Sequence, residues 1–69
     1  MEFERLYTEY EAAIEIQKNV IQRYRRKLKI AQKDADLNEV NRLNGILNIL
    51  YTEKSELEQL ASQLKLYIS

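Results

Sequence analysis

Two series of mostly apolar residues recur along this chain at alternating steps of three and four. The first stripe is Phe3, Tyr7, Tyr10, Ile14, Gln17, Ile21, Tyr24, Leu28 and Ala31, and the second stripe is Val40, Leu43, Leu47, Leu50, Lys54, Leu57, Ala61, Leu64 and Ile68. This spacing is typical of an α-helix that buries one side against another helix. The pattern therefore predicts two amphipathic helices.

The two stripes do not share a register. Continuing the first stripe past Ala31 would bury a mostly polar set of residues, including Arg42 and Glu56, because the second stripe arrives two residues early. At about 100° per residue, this slip puts the second stripe roughly 160° around a continued straight helix. One straight coiled coil cannot bury both stripes, whereas a chain that folds back on itself can.

The predicted fold is all-α: an antiparallel two-helix hairpin with helices at about 2–33 and 37–67 and a turn near 34–36, in a single domain 1–69. The turn contains neither Gly nor Pro, which usually mark the end of a helix. A helix start is nevertheless indicated, because Asp36 and Glu39 have the spacing of a capping box, with Asp34 as the alternative cap.

A turn centred near residue 34 or 35 places position n level with position 69 minus n on the other helix. Gln17 then lies level with Lys54, which predicts a buried polar layer that fixes the register. The alternative is that Lys54 extends to solvent while Gln17 lies at the edge of its stripe. The same pairing places Tyr24 near Gly45. Either the ring of Tyr24 packs closely against this glycine, or Gly45 is a tolerated surface glycine.

A two-helix unit of 69 residues buries only a thin core. Small domains gain stability from disulfides, metals or oligomerisation, and this sequence contains neither Cys nor His. Oligomerisation is therefore the expected route. Further apolar residues widen both stripes beyond what one hairpin would cover: Leu6, Ala13 and Val20 on the first helix, and Ile46, Leu60 and Tyr67 on the second.

Charge is segregated along the chain although the formal net charge is zero. Residues 2–15 carry five Glu and one Arg, whereas residues 18–33 carry seven Lys or Arg and no acid. An antiparallel two-fold homodimer would set the basic turn end of one hairpin beside the acidic open end of the other, forming a four-helix bundle. The expected hairpin and dimer core is Phe3, Tyr7, Tyr10, Ile14, Gln17, Ile21, Tyr24, Leu28, Val40, Leu43, Leu47, Leu50, Lys54, Leu57 and Leu64.

Residues suited to catalysis are nearly absent. There is no His or Cys to act as base, nucleophile or soft metal ligand, and the serines have no His partner for a triad. A single Gly cannot form a glycine-rich phosphate loop. We therefore expect no enzyme activity, no cofactor, no metal and no small-molecule ligand. The predicted function is a small protein–protein interaction or assembly module that forms homodimers and docks a helical partner.

The basic segment 23–33 supports an alternative, a nucleic-acid-binding hairpin. Its candidate phosphate contacts are Arg23, Arg25, Arg26, Lys27, Lys29 and Lys33. Tyr24 and Leu28 belong to the first stripe, which leaves no aromatic residue free to stack on bases. The cations also have an internal explanation in the helix dipole and in the nearby acids from Asp34 to Glu39. Ile16, Ile30 and Tyr51 lie off the stripes and would extend a patch for a partner.

The longest apolar cluster, Ile46 to Tyr51, is far shorter than the ~20 residues of a membrane-spanning helix. The chain opens with Glu2 and Glu4 instead of a signal peptide, and it has no Cys, so we expect a cytoplasmic protein without membrane contact. In plan the hairpin resembles plasmid RNA-binding hairpin dimers and the sporulation aspartyl-phosphate phosphatases. Those phosphatases carry a Ser-Gln-Glu-Leu-Asp motif, and Ser55-Glu56-Leu57-Glu58 lacks its Asp. The resemblance is one of architecture and implies no function.

Overall fold

The computed structural model describes residues 2–68, which form two long helices lying side by side. Helix α1 spans Glu2–Lys33 and helix α2 spans Leu37–Ile68. The predicted all-α hairpin is therefore confirmed, and α2 ends one residue later than expected. The molecule is a rod 50 Å long and 15 Å by 13 Å across. The length of the rod is close to that of a single 32-residue helix, so the two helices pack against each other along their whole length.

The turn between the helices closes the end of α1 with two backbone hydrogen bonds. The N–H of Asp36 donates to the carbonyl of Ala31 at 3.0 Å, and the N–H of Ala35 donates to the carbonyl of Gln32 at 3.2 Å. This is the pattern of a Schellman motif, which requires one residue in the left-handed conformation. Ala35 is that residue, with φ of 54°. An alanine thus occupies the position where glycine is usual.

Asp36 also begins α2. Its Oδ1 accepts a hydrogen bond from the N–H of Glu39 at 3.3 Å, and its carbonyl accepts one from the N–H of Val40 at 2.9 Å. Asp36 is therefore the N-cap, as predicted. The reciprocal bond of a capping box does not form, because the N–H of Asp36 serves α1 and the Glu39 carboxylate binds the guanidinium of Arg42.

The two stripes form the contact between α1 and α2. Its buried side chains are Ile14, Ile21, Ala31, Leu43, Leu47 and Ala61, of which Leu43 is the most enclosed at 1% exposure. The remaining stripe residues are half-buried, except Phe3, which is exposed at the open end. The core is consequently a single layer of side chains along the length of the rod.

The exposed surface is large for the mass of the chain. It amounts to 5562 Å², whereas a compact monomer of this mass exposes about 4,600 Å². The excess of roughly 1,000 Å² follows from the rod shape and the single-layer core. It is similar to the area of about 800 Å² that each partner buries in a protein–protein interface of standard size.

Candidate functional site

The hairpin has two long sides, which are defined by their offset from the stripes. Residues one position before a stripe residue lie about 100° to one side of the helix contact, and residues one position after lie about 100° to the other. Two antiparallel helices are related by a two-fold axis normal to the plane that contains them. Residues with the same offset on α1 and α2 therefore lie on the same side of the hairpin. We call the first side the apolar face and the second the polar face.

Half of the apolar face consists of apolar residues. They occupy nine of its eighteen positions: Leu6, Ala13, Ile16, Val20, Ile30, Ile46, Ile49, Leu60 and Tyr67. Ile16 is 64% exposed, Ile49 60% and Tyr67 70%. At the open end the ring of Tyr67 stacks on that of Phe3 with centroids 5.4 Å apart. The further apolar rows recognised in the sequence on each helix therefore lie on one and the same side of the hairpin.

Cations and acids are distributed unevenly along the apolar face. Towards the turn the face carries Arg23, Lys27 and the ion pair of Arg42 with Glu39, and Asp34 and Asp36 line the same groove as Lys27. Towards the open end it carries Glu2, Glu9 and Glu56, and Glu53 lies near the middle. The cations of this face therefore lie towards the turn, and its open end is acidic. Ile16 and Ile49 lie near the middle, and Ile30, which is 61% exposed, lies at the turn end.

The polar members of the two stripes do not bind each other. Gln17 Nε2 donates to the carbonyl of Leu50 and to Oε2 of Glu53, both at 3.2 Å. Lys54 Nζ instead reaches Glu58 Oε1 at 2.5 Å, and this hydrogen bond holds the pKa of the Glu58 carboxyl below its ordinary value. The predicted buried layer of Gln17 and Lys54 is wrong, because no polar side chain of residues 2–68 is buried. The side chain of Lys54 runs along α2 with its ammonium group towards solvent, which agrees with the alternative that Lys54 extends to solvent.

Gly45 is a surface glycine. A Cβ built on it would meet no atom within 4 Å, so the predicted close packing of Tyr24 against this position is wrong. The ring of Tyr24 is half-buried in the helix contact, and Lys27 Nζ lies 4.9 Å from its centroid. Gly45 is consequently free to be replaced by a residue with a side chain.

The polar face carries polar residues at all but one of its seventeen positions, the exception being Tyr51. Tyr51 is 45% exposed and lines an open groove between the helices together with Lys18 and Arg25. Of the three apolar residues predicted to lie off the stripes, Ile16 and Ile30 are exposed on the apolar face, whereas Tyr51 is exposed on the polar face. The groove places an aromatic ring among cations, a combination that sequence reasoning missed because Tyr51 and the basic segment lie on different helices.

The six residues of the predicted nucleic-acid patch are all exposed, but they do not share one surface. By their offsets, Arg23 and Lys27 belong to the apolar face, Arg25 and Lys29 to the polar face, and Arg26 and Lys33 to the outer side of α1. None of the six lies within 4 Å of a carboxylate oxygen of residues 2–68. Their charges are therefore not neutralised by direct ion pairs with the acids near the turn.

Within residues 2–68, no three acidic side chains gather in a way that could hold a metal ion. Over the same range neither helix has a stretch long and apolar enough to cross a membrane. No protein-family model matches this chain, and neither the curated proteins nor the solved structures contain a significant match to it. The two faces of the hairpin are thus the features from which its function is inferred.

Proposed function

We propose that this protein is a non-enzymatic interaction module that assembles through its apolar face. The observation that carries the proposal is the concentration of exposed apolar residues on one side of the hairpin. Contiguous exposed apolar surface on a small protein marks a site of contact with another protein. A pair of helices suits another pair best, because the rows of side chains on each surface fit into the grooves of the other.

The partner that fits this face best is a second copy of the chain. A two-fold axis through the middle of the apolar face sets the turn end of one copy beside the open end of the other. Helix α1 then lies beside α1 of the second copy, and Glu9 of that copy falls between the levels of Arg23 and Lys27. The opposite charges meet under this symmetry, whereas a parallel arrangement would bring like charges together. The proposed assembly is an antiparallel four-helix bundle.

The size of the exposed surface supports a dimer. The excess over a compact monomer, roughly 1,000 Å², is enough for one side of a standard interface. Apolar contact provides most of the stability, since exposed ion pairs contribute at most about 1 kcal/mol each and are screened by salt. The charges therefore select the orientation while the isoleucines and leucines hold the copies together.

Sedimentation of the full chain at micromolar concentration tests the proposal. The wild type should sediment as a dimer of the 8.3 kDa chain. Ile49→Glu should give a folded monomer, because it buries an unpaired charge at the middle of the apolar face. Leu66→Glu is the matched control, since Leu66 is 78% exposed and lies off this face on the same helix. A monomeric wild type, or equal loss of the dimer in both variants, would refute the proposal.

A charge exchange tests the orientation. Lys27→Glu and Glu9→Lys should each weaken the dimer, because each sets two like charges at nearly the same level. The double variant restores the opposite pairing and should recover most of the lost affinity. A double variant that dimerises no better than the single variants would show that the copies do not pack antiparallel.

A further inference from the structure

We propose that the polar face binds single-stranded nucleic acid in the groove that contains Tyr51. This groove belongs to a single hairpin and lies on the side opposite to the apolar face. The inference therefore goes beyond the proposed assembly function and does not depend on it. In an antiparallel dimer, the grooves of the two copies would lie on the two outer surfaces of the bundle.

The groove carries a row of cations that follows α1. Its lining is Lys18, Ile21, Gln22, Arg25, Tyr51 and Lys54. Gln22 and Arg25 also line a neighbouring depression on α1 together with Arg26 and Lys29. Lys18 and Lys29 are separated by about 16 Å at the helical rise of 1.5 Å per residue. A row of this length matches a run of successive phosphates better than it matches one isolated anion.

Tyr51 explains why the ligand is a single strand. Proteins that bind single strands without sequence preference combine a basic groove with aromatic rings on which bases stack. Tyr51 is 45% exposed, and its ring lines the same groove as Arg25 and Lys18. The bases of a duplex are already stacked on each other, so an exposed ring favours a strand with unpaired bases.

Two carboxylates border the groove without cancelling its charge. Glu15 lies 3.8 Å from Lys18 and Glu58 lies 2.5 Å from Lys54. Pairs of this kind on a helix surface are weak, so a phosphate can replace the carboxylate as partner. Arg25 has no carboxylate oxygen of residues 2–68 within 4 Å. Its planar guanidinium can bind a phosphate through two parallel hydrogen bonds.

Fluorescence anisotropy with labelled oligo(dT) and oligo(U) strands of about 12 nucleotides tests this inference, with a duplex of the same length as comparison. Both single strands should bind more tightly than the duplex at low salt. Tyr51→Leu should raise the dissociation constant about fivefold or more, whereas Tyr51→Phe, which keeps the ring, should not. These positions are exposed, so circular dichroism should show all variants to be fully helical.

Arg25→Gln and Lys33→Gln separate a specific groove from general attraction, because both remove one exposed charge from α1. Arg25→Gln should weaken binding and lower the salt dependence, expressed as the slope of log affinity against log salt, by about 0.7. Lys33→Gln, which lies outside the groove, should have a much smaller effect. Absence of binding at about 10 μM protein, a preference for duplex, or equal effects of the two substitutions would overturn the inference.

Discussion

Replacing Ala35 by glycine should make the hairpin more stable. At φ of 54° the Cβ of Ala35 approaches the following carbonyl oxygen, which costs an L-residue about 1–2 kcal/mol. Glycine avoids this cost but loses about 0.5–1 kcal/mol more conformational entropy on folding. The difference between the central values is a net gain of about 0.75 kcal/mol per chain, which corresponds to a rise in Tm of about 3–6 °C.

The substitution changes backbone strain and little else. The two hydrogen bonds that close α1, at 3.0 and 3.2 Å, use main-chain atoms that glycine retains. Thermal unfolding followed by circular dichroism measures the effect, at one fixed protein concentration because assembly makes Tm depend on concentration. Ala12→Gly is the matched control. Ala12 is exposed inside α1, where the same change should lower stability by about 1 kcal/mol.

We expect Ala35→Gly to raise Tm and Ala12→Gly to lower it. A third variant, Ala35→Val, should lower Tm, because a β-branched residue is strongly disfavoured in the left-handed region. If Ala35→Gly lowers Tm as Ala12→Gly does, Ala35 is not left-handed in solution. The Schellman closure of α1 would then be refuted, together with the explanation of how the chain turns without a glycine.

Three further predictions concern the stripes and the helix surfaces. Gly45→Ala should raise stability by about 1 kcal/mol in thermal unfolding, because the new Cβ meets no atom within 4 Å; an unchanged or lower Tm contradicts this. Gln17→Leu should raise stability by about 1 kcal/mol through added apolar burial, and a fall in Tm would mean that its bonds to Leu50 and Glu53 are needed. Because the pKa of Glu58 is lowered by Lys54, this pair stabilises the fold above the ordinary carboxyl pKa and ceases to do so as the pH falls through the lowered pKa. The Tm difference between the wild type and Glu58→Gln should shrink towards zero in acid, and a difference independent of pH argues against this role.

Both helices and the turn could be predicted because their signals are local. The register slip between the stripes requires a fold-back, and the Asp36–Glu39 spacing marks the start of α2. The conformation of Ala35 could not be predicted, because an alanine takes the left-handed form only where the surrounding hydrogen bonds require it. The position of the turn therefore follows from the sequence, whereas the identity of its left-handed residue does not.

The contacts of a side chain across the hairpin were harder to predict than the height of its residue along the hairpin axis. Counting from the turn places Gln17 at the correct height on α2. It does not say in which direction the side chain leaves the helix, and this direction decides that Gln17 meets Leu50 and Glu53. The groove around Tyr51 was missed for the same reason, since its residues come from both helices and become neighbours only once the azimuth of each helix is known.

The one-residue offset between the stripes and the two faces determines how this chain responds to changes in length. Inserting a single residue after Ser55 would turn the rest of α2 by about 100°. Leu57 would then point to the polar face, and Leu60 would enter the contact with α1. Substitutions on the faces leave this geometry intact, whereas an insertion or deletion inside a helix redirects every residue beyond it. Within the helices, a change of about seven residues, close to two full turns, keeps the stripe and both faces in register.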